Sequence, residues 1–147
     1  MKHPKNRKMP MLCLALVLVV CVLTACVSST ADVIKVGEDE IPSLYSAVGE
    51  KKIVGTKAGT ENGTKYAVVT YESGAVSQEE MQQYISALEA RGYAQISDII
   101  ADGTVQTLQM ATESVQDGKV VVVEILFDSA GNTELMYAIA AGTLDRE

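Results

Sequence analysis

The chain has 147 residues, a length that favours one domain, and it carries a formal net charge of -7. Four of its 12 basic residues lie in the first ten positions, whereas all 19 acidic residues follow Cys26, so the chain from Cys26 onward keeps 8 basic residues and a charge of -11. This negative charge argues against a nucleic-acid partner, because phosphate binding needs a cationic surface. It also argues against adhesion to anionic lipid through basic side chains.

The N-terminal segment has the pattern of a secretory signal peptide. Residues 1–8 are basic, and an apolar run follows from Met11 to Leu23. A stable membrane-spanning helix needs about 20 apolar residues, and this run is shorter and is followed by small residues. We therefore predict a cleaved signal peptide over residues 1–25.

The residues that end this segment are Leu23, Thr24, Ala25 and Cys26. They resemble the lipobox of bacterial lipoproteins, in which an aliphatic residue and two small residues precede an obligatory cysteine. The resemblance implies that the Cys26 thiol accepts a diacylglyceryl group and that the signal peptidase cuts before it. It also implies a lipid-anchored protein at the cell membrane, outside the cytoplasm.

The cysteine count agrees with lipid attachment at Cys26. Cys13 and Cys21 would leave with the leader, so Cys26 would be the one cysteine of the mature chain and could form no internal disulfide. Acylation would cap this thiol, and two acyl chains anchor a protein far more firmly than one. The alternative is a buried free cysteine in an uncleaved anchor.

The segment from Cys26 to Ile41 is rich in Ser, Thr, Asp and Glu and shows no sustained period. We interpret residues 26–41 as a flexible tether and place a small α+β domain over residues 42–147. The acidic cluster at residues 38–40 is interpreted as solvated linker that repels anionic headgroups, with a cation site as the alternative.

A hairpin and a helix follow in the predicted domain. Asn62-Gly63 lies between two β-rich runs, and both positions of a type I′ turn need positive φ, which this pair supplies. Ser77 with Glu80 forms a capping box at the start of a helix, and Gly92 can end it. The predicted helix carries an apolar stripe at positions i, i+3, i+4 and i+7, formed by Met81, Tyr84, Ile85 and Leu88.

Four β-rich runs separated by turn signals follow the helix, at residues 93–100, 104–114, 119–127 and 133–141. Their spacing fits an antiparallel meander. The run 119–127 is apolar on both faces until Glu124, so we place it centrally in the sheet. We expect one face of this run to meet similar residues of the next strand, and these two sets are Val121, Val123, Ile125 and Phe127 with Leu135, Tyr137 and Ile139.

The predicted fold class is α+β, a two-layer domain with an antiparallel sheet of about six strands and one amphipathic helix packed on one face. The open face would need cover from the N-terminal strands, a partner or a dimer mate.

Little catalytic chemistry is available to the mature chain. His3 is the only histidine and would be lost with the leader, which removes nucleophilic sites and zinc sites that depend on His or a free thiol. Gly55, Gly59 and Gly63 lie in hairpin context and not between a strand and a helix, as a phosphate-binding loop would require. The loop from Asp128 to Glu134 is interpreted as a hairpin turn, not as a cation site. We therefore predict no catalytic residue, no cofactor and no metal ligand.

The tyrosines are the major aromatic residues of a chain that has no Trp. We expect Tyr84 and Tyr93 to lie under the helix and the others to fill the core, with a binding patch of exposed tyrosines as the alternative. The remaining tyrosines are Tyr45, Tyr66, Tyr71 and Tyr137.

The predicted function is that of a lipid-anchored extracytoplasmic bacterial lipoprotein with a non-enzymatic binding or interaction domain. Its partners would be the membrane, through lipid on Cys26, and an envelope protein or cell-wall component. The alternatives are a carboxylate-dependent hydrolase of envelope glycans and an enzyme-inhibitor domain. A cleft with two facing acids would favour the hydrolase, and an exposed apolar patch would favour binding or inhibition.

Overall fold

The computed structural model of the protein describes residues 28–145, apart from the side chain of Asp102. The predicted signal peptide over residues 1–25 and the lipid-attachment residue Cys26 lie outside the described residues, so both remain predictions. Within residues 28–145, no helix is long and apolar enough to cross a membrane.

The described chain forms strands and two helices in a mostly antiparallel α+β arrangement. In chain order the elements are β1 (Val33–Val36), β2 (Asp39–Pro42), α1 (Leu44–Val48), β3 (Ile53–Glu61), β4 (Thr64–Tyr71), α2 (Gln78–Ala90), β5 (Ala94–Gln95), β6 (Ile100–Asp102), β7 (Val105–Glu113), β8 (Lys119–Asp128) and β9 (Thr133–Ala141). The large sheet has the order β3-β4-β9-β8-β7, and β5 and β6 both pair with the far side of β7. β1 and β2 form a separate two-stranded sheet.

The hairpin and meander predictions are confirmed. Asn62 and Gly63 have φ values of 49° and 81°, and they connect β3 to β4 as the turn chemistry requires. β7, β8 and β9 pair consecutively, and β9 then pairs with β4. β9 therefore joins the meander to the β3–β4 hairpin, and β8 and β9 lie at the centre of the sheet.

Helix α2 begins and ends as predicted. The Ser77 hydroxyl accepts a hydrogen bond from the Glu80 amide at 3.2 Å, and the Glu80 carboxylate accepts one from the Ser77 amide at 3.0 Å. At the other end, Gly92 takes a φ of 86° and the Tyr93 amide donates to the Leu88 carbonyl at 3.1 Å. Both ends of the helix are thus satisfied by local residues.

The interpretation of residues 26–41 as a flexible tether is wrong for residues 33–41, which form β1 and most of β2. Ile34, Val36 and Ile41 are buried in the hydrophobic core. The acidic cluster is not wholly solvated either, because Asp39 is only 5% exposed. The alternation of apolar residues in this short hairpin outweighs the polar composition on which the tether interpretation depended.

Two further details differ from the prediction. The segment 93–100 was predicted as one strand, but pairing with β7 is interrupted between β5 and β6. A second helix, α1, follows Ser43, whose side chain accepts from the Ser46 amide at its start. The large sheet has seven strands rather than about six, and residues 28–145 contain two helices rather than one.

One face of the large sheet, which we call the inner face, supplies most of the core. The predicted pairing of β8 with β9 is confirmed on this face, where Val121, Val123 and Ile125 lie opposite Ile139, Tyr137 and Leu135. Buried side chains from the small sheet and both helices belong to the same cluster, namely Ile34, Val36, Ile41, Leu44, Met81, Tyr84 and Leu88. The N-terminal strands therefore cover the inner face.

Candidate interaction surface

The opposite face of the large sheet, which we call the outer face, is the strongest candidate for a functional site. Strand register aligns its side chains in three rows across five strands. Written from β3 to β7, the first row is Gly55, Thr70, Glu134, Leu126 and Thr107, the second is Lys57, Val68, Met136, Glu124 and Gln109, and the third is Gly59, Tyr66, Ala138, Val122 and Ala111.

The centre of the outer face is apolar. Val68, Met136 and Val122 are half-buried, and Ala138 between them is 6% exposed because its neighbours are larger. The apolar surface continues past β7, where Ile100 pairs with Thr107 and is 63% exposed. Scattered apolar residues are ordinary on protein surfaces, but a contiguous set on one sheet face is typical of a contact surface.

Tyr66 and Lys57 form a cationic corner of the outer face. The Tyr66 ring lies across Gly59, where an added Cβ would be 3.0 Å from the phenol oxygen. The Lys57 amine lies 5.7 Å from the centre of the same ring. Gly59 thus provides the space that the ring occupies, and the ring faces an exposed cation.

Two carboxylates complete the outer face. Gln109 Nε2 donates to Glu124 Oε2 at 2.6 Å, and Thr70 Oγ1 donates to Glu134 Oε2 at 3.1 Å. Glu124 lies on β8 and Glu134 on the adjacent strand β9, where Glu134 pairs with Leu126, two residues beyond Glu124. The two carboxylates are therefore diagonal neighbours at the centre of the sheet, and each is hydrogen-bonded to the strand on its other side.

The buried tyrosines belong to the inner face. The Tyr84 hydroxyl donates to the Pro42 carbonyl at 2.8 Å and lies 3.3 Å from the Tyr137 hydroxyl. Burial raises the pKa of Tyr71 and of Tyr93 to about 12, and it raises the pKa of Tyr84 and Tyr137 far above the ordinary range. Their hydroxyls are therefore neutral structural groups.

The alternative of an exposed tyrosine patch is limited to Tyr45 and Tyr66, because these two tyrosines are half-buried and the other four are buried. Only Tyr66 of these two lies in the rows of the outer face.

Asp39 is the one buried carboxylate among the described residues. It accepts hydrogen bonds from the Ser114 hydroxyl at 2.7 Å and from the Val115 amide at 2.9 Å. These bonds connect the β1–β2 hairpin to the turn after β7, and they account for the burial of a charged group. Asp39 is therefore a structural residue. Its burial could not be predicted from the sequence, because its hydrogen-bond partners lie far along the chain.

The loop from Asp128 to Glu134 is the hairpin turn that the sequence predicts. Asp128 Oδ1 accepts from the Ala130 and Asn132 amides at 2.9 and 2.8 Å, and the Asn132 side chain donates to Asp128 Oδ2 at 2.6 Å. Hydrogen bonds from Asn132 lower the pKa of the Asp128 carboxyl. Across residues 28–145, no group of three or more potential ligands is arranged to hold a metal ion.

An apolar groove also lies between α2 and the edge formed by β6 and β7. Met81, Ile85, Ile99 and Phe127 line it, and its volume is about 50 Å³. A groove of this size holds no more than one or two water molecules.

Comparison with protein-family models, with curated protein sequences and with solved structures finds no match to this chain.

Proposed function

We propose that the protein is a lipid-anchored extracytoplasmic lipoprotein whose domain is a non-enzymatic interaction module, and that the outer face is its interaction surface. The observation that carries this proposal is the contiguous apolar centre of that face, bordered by Lys57, Glu124 and Glu134. An apolar centre with charged residues around it is the usual composition of a protein contact surface.

The proposal includes a two-layer arrangement in which α2 covers the inner face. It is supported by the burial of Tyr84 and Leu88 in the core cluster and by the contact between the Tyr84 and Tyr137 hydroxyls. Cover on the inner face leaves the outer face free for a partner.

Lipid attachment at Cys26 would hold one end of the domain close to the membrane. Six residues separate Cys26 from β1, and a fully extended segment of that length spans about 20 Å. The Ser29 hydroxyl donates to the Glu50 carboxylate at 2.9 Å, which places the chain entry beside the start of β3. The membrane would then lie near the end of the sheet where β3 begins.

Photo-crosslinking in intact cells tests the interaction surface. A photoreactive phenylalanine analogue at Leu126, which is half-buried on the outer face, should give a crosslinked adduct. The same analogue at Gln83, an exposed position of α2, is the matched control and should give none. The proposal fails if Leu126 gives no adduct or if both positions give the same adducts.

Detergent phase partitioning tests the anchor independently. Wild-type protein should enter the detergent phase, and Cys26→Ser should leave it or persist as an uncleaved precursor. Equal partitioning of the two would contradict lipid attachment, whereas Cys13→Ser should behave as wild type because that residue leaves with the leader.

A further inference from the structure

We propose that a second copy of this chain covers the outer face, and that the two copies form a two-fold symmetric sandwich of sheets. This inference rests on the proposed function, because it takes the outer face as the interaction surface and names its partner. The N-terminal strands are no alternative cover among the described residues, since Ile34, Val36 and Ile41 belong to the inner core.

A two-fold axis that runs along the strands between β4 and β9 makes the outer face complementary to itself. Such an axis places β4 of one copy over β9 of the other, and β3 over β8. Side chains of one row then face the same row of the second copy. Aligned packing at a small angle is the usual arrangement of two stacked sheets.

The second row carries the charge complementarity. The symmetry places Lys57 of each copy opposite Glu124 of the other and places Val68 opposite Met136. Lys57 is the only cation in the three rows. Within one chain, Lys57 and Glu124 lie three strand spacings apart, a total of about 14 Å, so these residues pair only between copies. Two such pairs would flank an apolar centre.

The other rows place large residues against small ones. Leu126 faces Gly55, and Val122 and the Tyr66 ring meet above Gly59 and Ala138. In the first row, Thr70 would lie opposite Glu134 of the second copy, while its hydroxyl donates to Glu134 of its own chain. Gly55 on β3 thus leaves room for Leu126 of the second copy, whereas the space at Gly59 is filled by Tyr66 of the same chain.

The expected interface is small, which suits a membrane-held pair. Four overlapping strands and three to four rows give roughly 450 Å² of flat area on each copy, below the roughly 600–1,000 Å² per partner of stable complexes and in the range of weak, transient ones. Two-dimensional tethering raises the effective concentration and would populate a dimer that is weak in solution. The proposed axis also leaves both copies' Glu50 ends on the same side, so both lipid anchors could enter one membrane.

Crosslinking of the full-length protein in membranes tests the pairing. In Lys57→Cys/Glu124→Cys, a short thiol-to-thiol crosslinker that spans about 8–10 Å should give a species of doubled mass, because the two cysteines would face each other about 10 Å apart across the interface. Each single variant is a control, since copies of one position would lie about 14 Å apart along the sheet as well as about 10 Å across it, beyond the reach of this crosslinker. These controls also measure any background from Cys26. Absence of the doubled species in the double variant, or equal amounts in the controls, overturns the arrangement.

Charge reversal provides a second measurement that distinguishes folding defects from lost pairing. The doubled-mass photo-adduct at Leu126 should fall at least about tenfold in Lys57→Glu and in Glu124→Lys, and it should return when both changes are combined. Failure of the combined variant to restore the adduct overturns the inference. An adduct only with a protein of different mass overturns the second copy as partner while the proposed function stands, and no adduct overturns both.

Discussion

The inner and outer faces of the large sheet are formed by the same strands but differ in composition and in burial. On β8 the inner residues Val121 and Val123 are buried and purely aliphatic, whereas the outer residues Val122, Glu124 and Leu126 are half-buried and include a charge. The inner-face residues share one buried cluster with residues of β1, β2 and both helices. The outer face is too apolar for a fully solvated surface and too charged for a core, which is the intermediate composition expected of a contact surface. Four changes, taken in order of expected effect, test this difference.

High pH should destabilise the protein through its inner-face tyrosines. Burial raises the pKa of Tyr71 and Tyr93 to about 12, whereas tyrosine in the unfolded chain loses its proton near pH 10. Between these values the unfolded state binds fewer protons, so the free energy of unfolding falls by about 1.4 kcal/mol per pH unit for each tyrosine. Urea unfolding at pH 8, 10, 11 and 12 measures this slope.

Tyr71→Phe is the informative variant for that slope. The variant lacks one titrating group, so its free energy of unfolding should fall less steeply between pH 10 and 12. At pH 8 its free energy of unfolding should differ less from that of wild type. An identical slope in wild type and Tyr71→Phe would contradict the assignment. Tyrosinate absorbance gives a second readout, because the buried tyrosines should ionise only as the protein unfolds.

Adjacent residues of β9 compare the faces directly. Leu135 is fully buried on the inner face, and Leu135→Ala should lower the free energy of unfolding by about 2–5 kcal/mol through lost burial and a cavity. Met136 is half-buried on the outer face, and Met136→Ala should cost about 1 kcal/mol or less in dilute protein. Urea unfolding measures the loss of stability in both variants. Similar losses would show that the outer face is already covered within the monomer.

The neighbouring acidic residues Glu38 and Asp39 allow an exposed carboxylate to be compared with a buried, hydrogen-bonded one. Asp39→Ala leaves the Ser114 hydroxyl and the Val115 amide without their acceptor and should destabilise the protein by about 1–3 kcal/mol. Glu38 is exposed in the same turn, so Glu38→Ala should change stability by less than about 0.5 kcal/mol. Thermal unfolding of both proteins provides the comparison. A loss as large for Glu38→Ala would remove the special role of Asp39.

Local signals account for the parts of the fold that the sequence predicts. The Asn62-Gly63 turn, the Ser77 capping box and the continuous apolar run of β8 each lie within a few residues, and each predicts its element. The β1–β2 hairpin is not predicted because its apolar alternation is short and lies among polar residues, and because Asp39 bonds to residues about 75 positions away. The rows of the outer face depend on pairing of β4 with β9, which no local pattern reveals. Sequence reasoning therefore anticipated an open face needing cover, but not its charge arrangement.

Only a small stability effect is expected at Lys57, and its effect on association gives the sharpest test of the outer face. Lys57 is exposed and contacts the Tyr66 ring at 5.7 Å, so Lys57→Gln should lower the free energy of unfolding by no more than about 0.5–1 kcal/mol. Lys35→Gln is the matched control, because Lys35 is an exposed lysine whose ion pair with Glu40 lies in the β1–β2 hairpin. Both variants should unfold almost as wild type, but only Lys57→Gln should weaken the crosslink at Leu126. A residue that affects association and not folding belongs to an interface, and equal crosslinking in the two variants would show that this lysine contacts no partner.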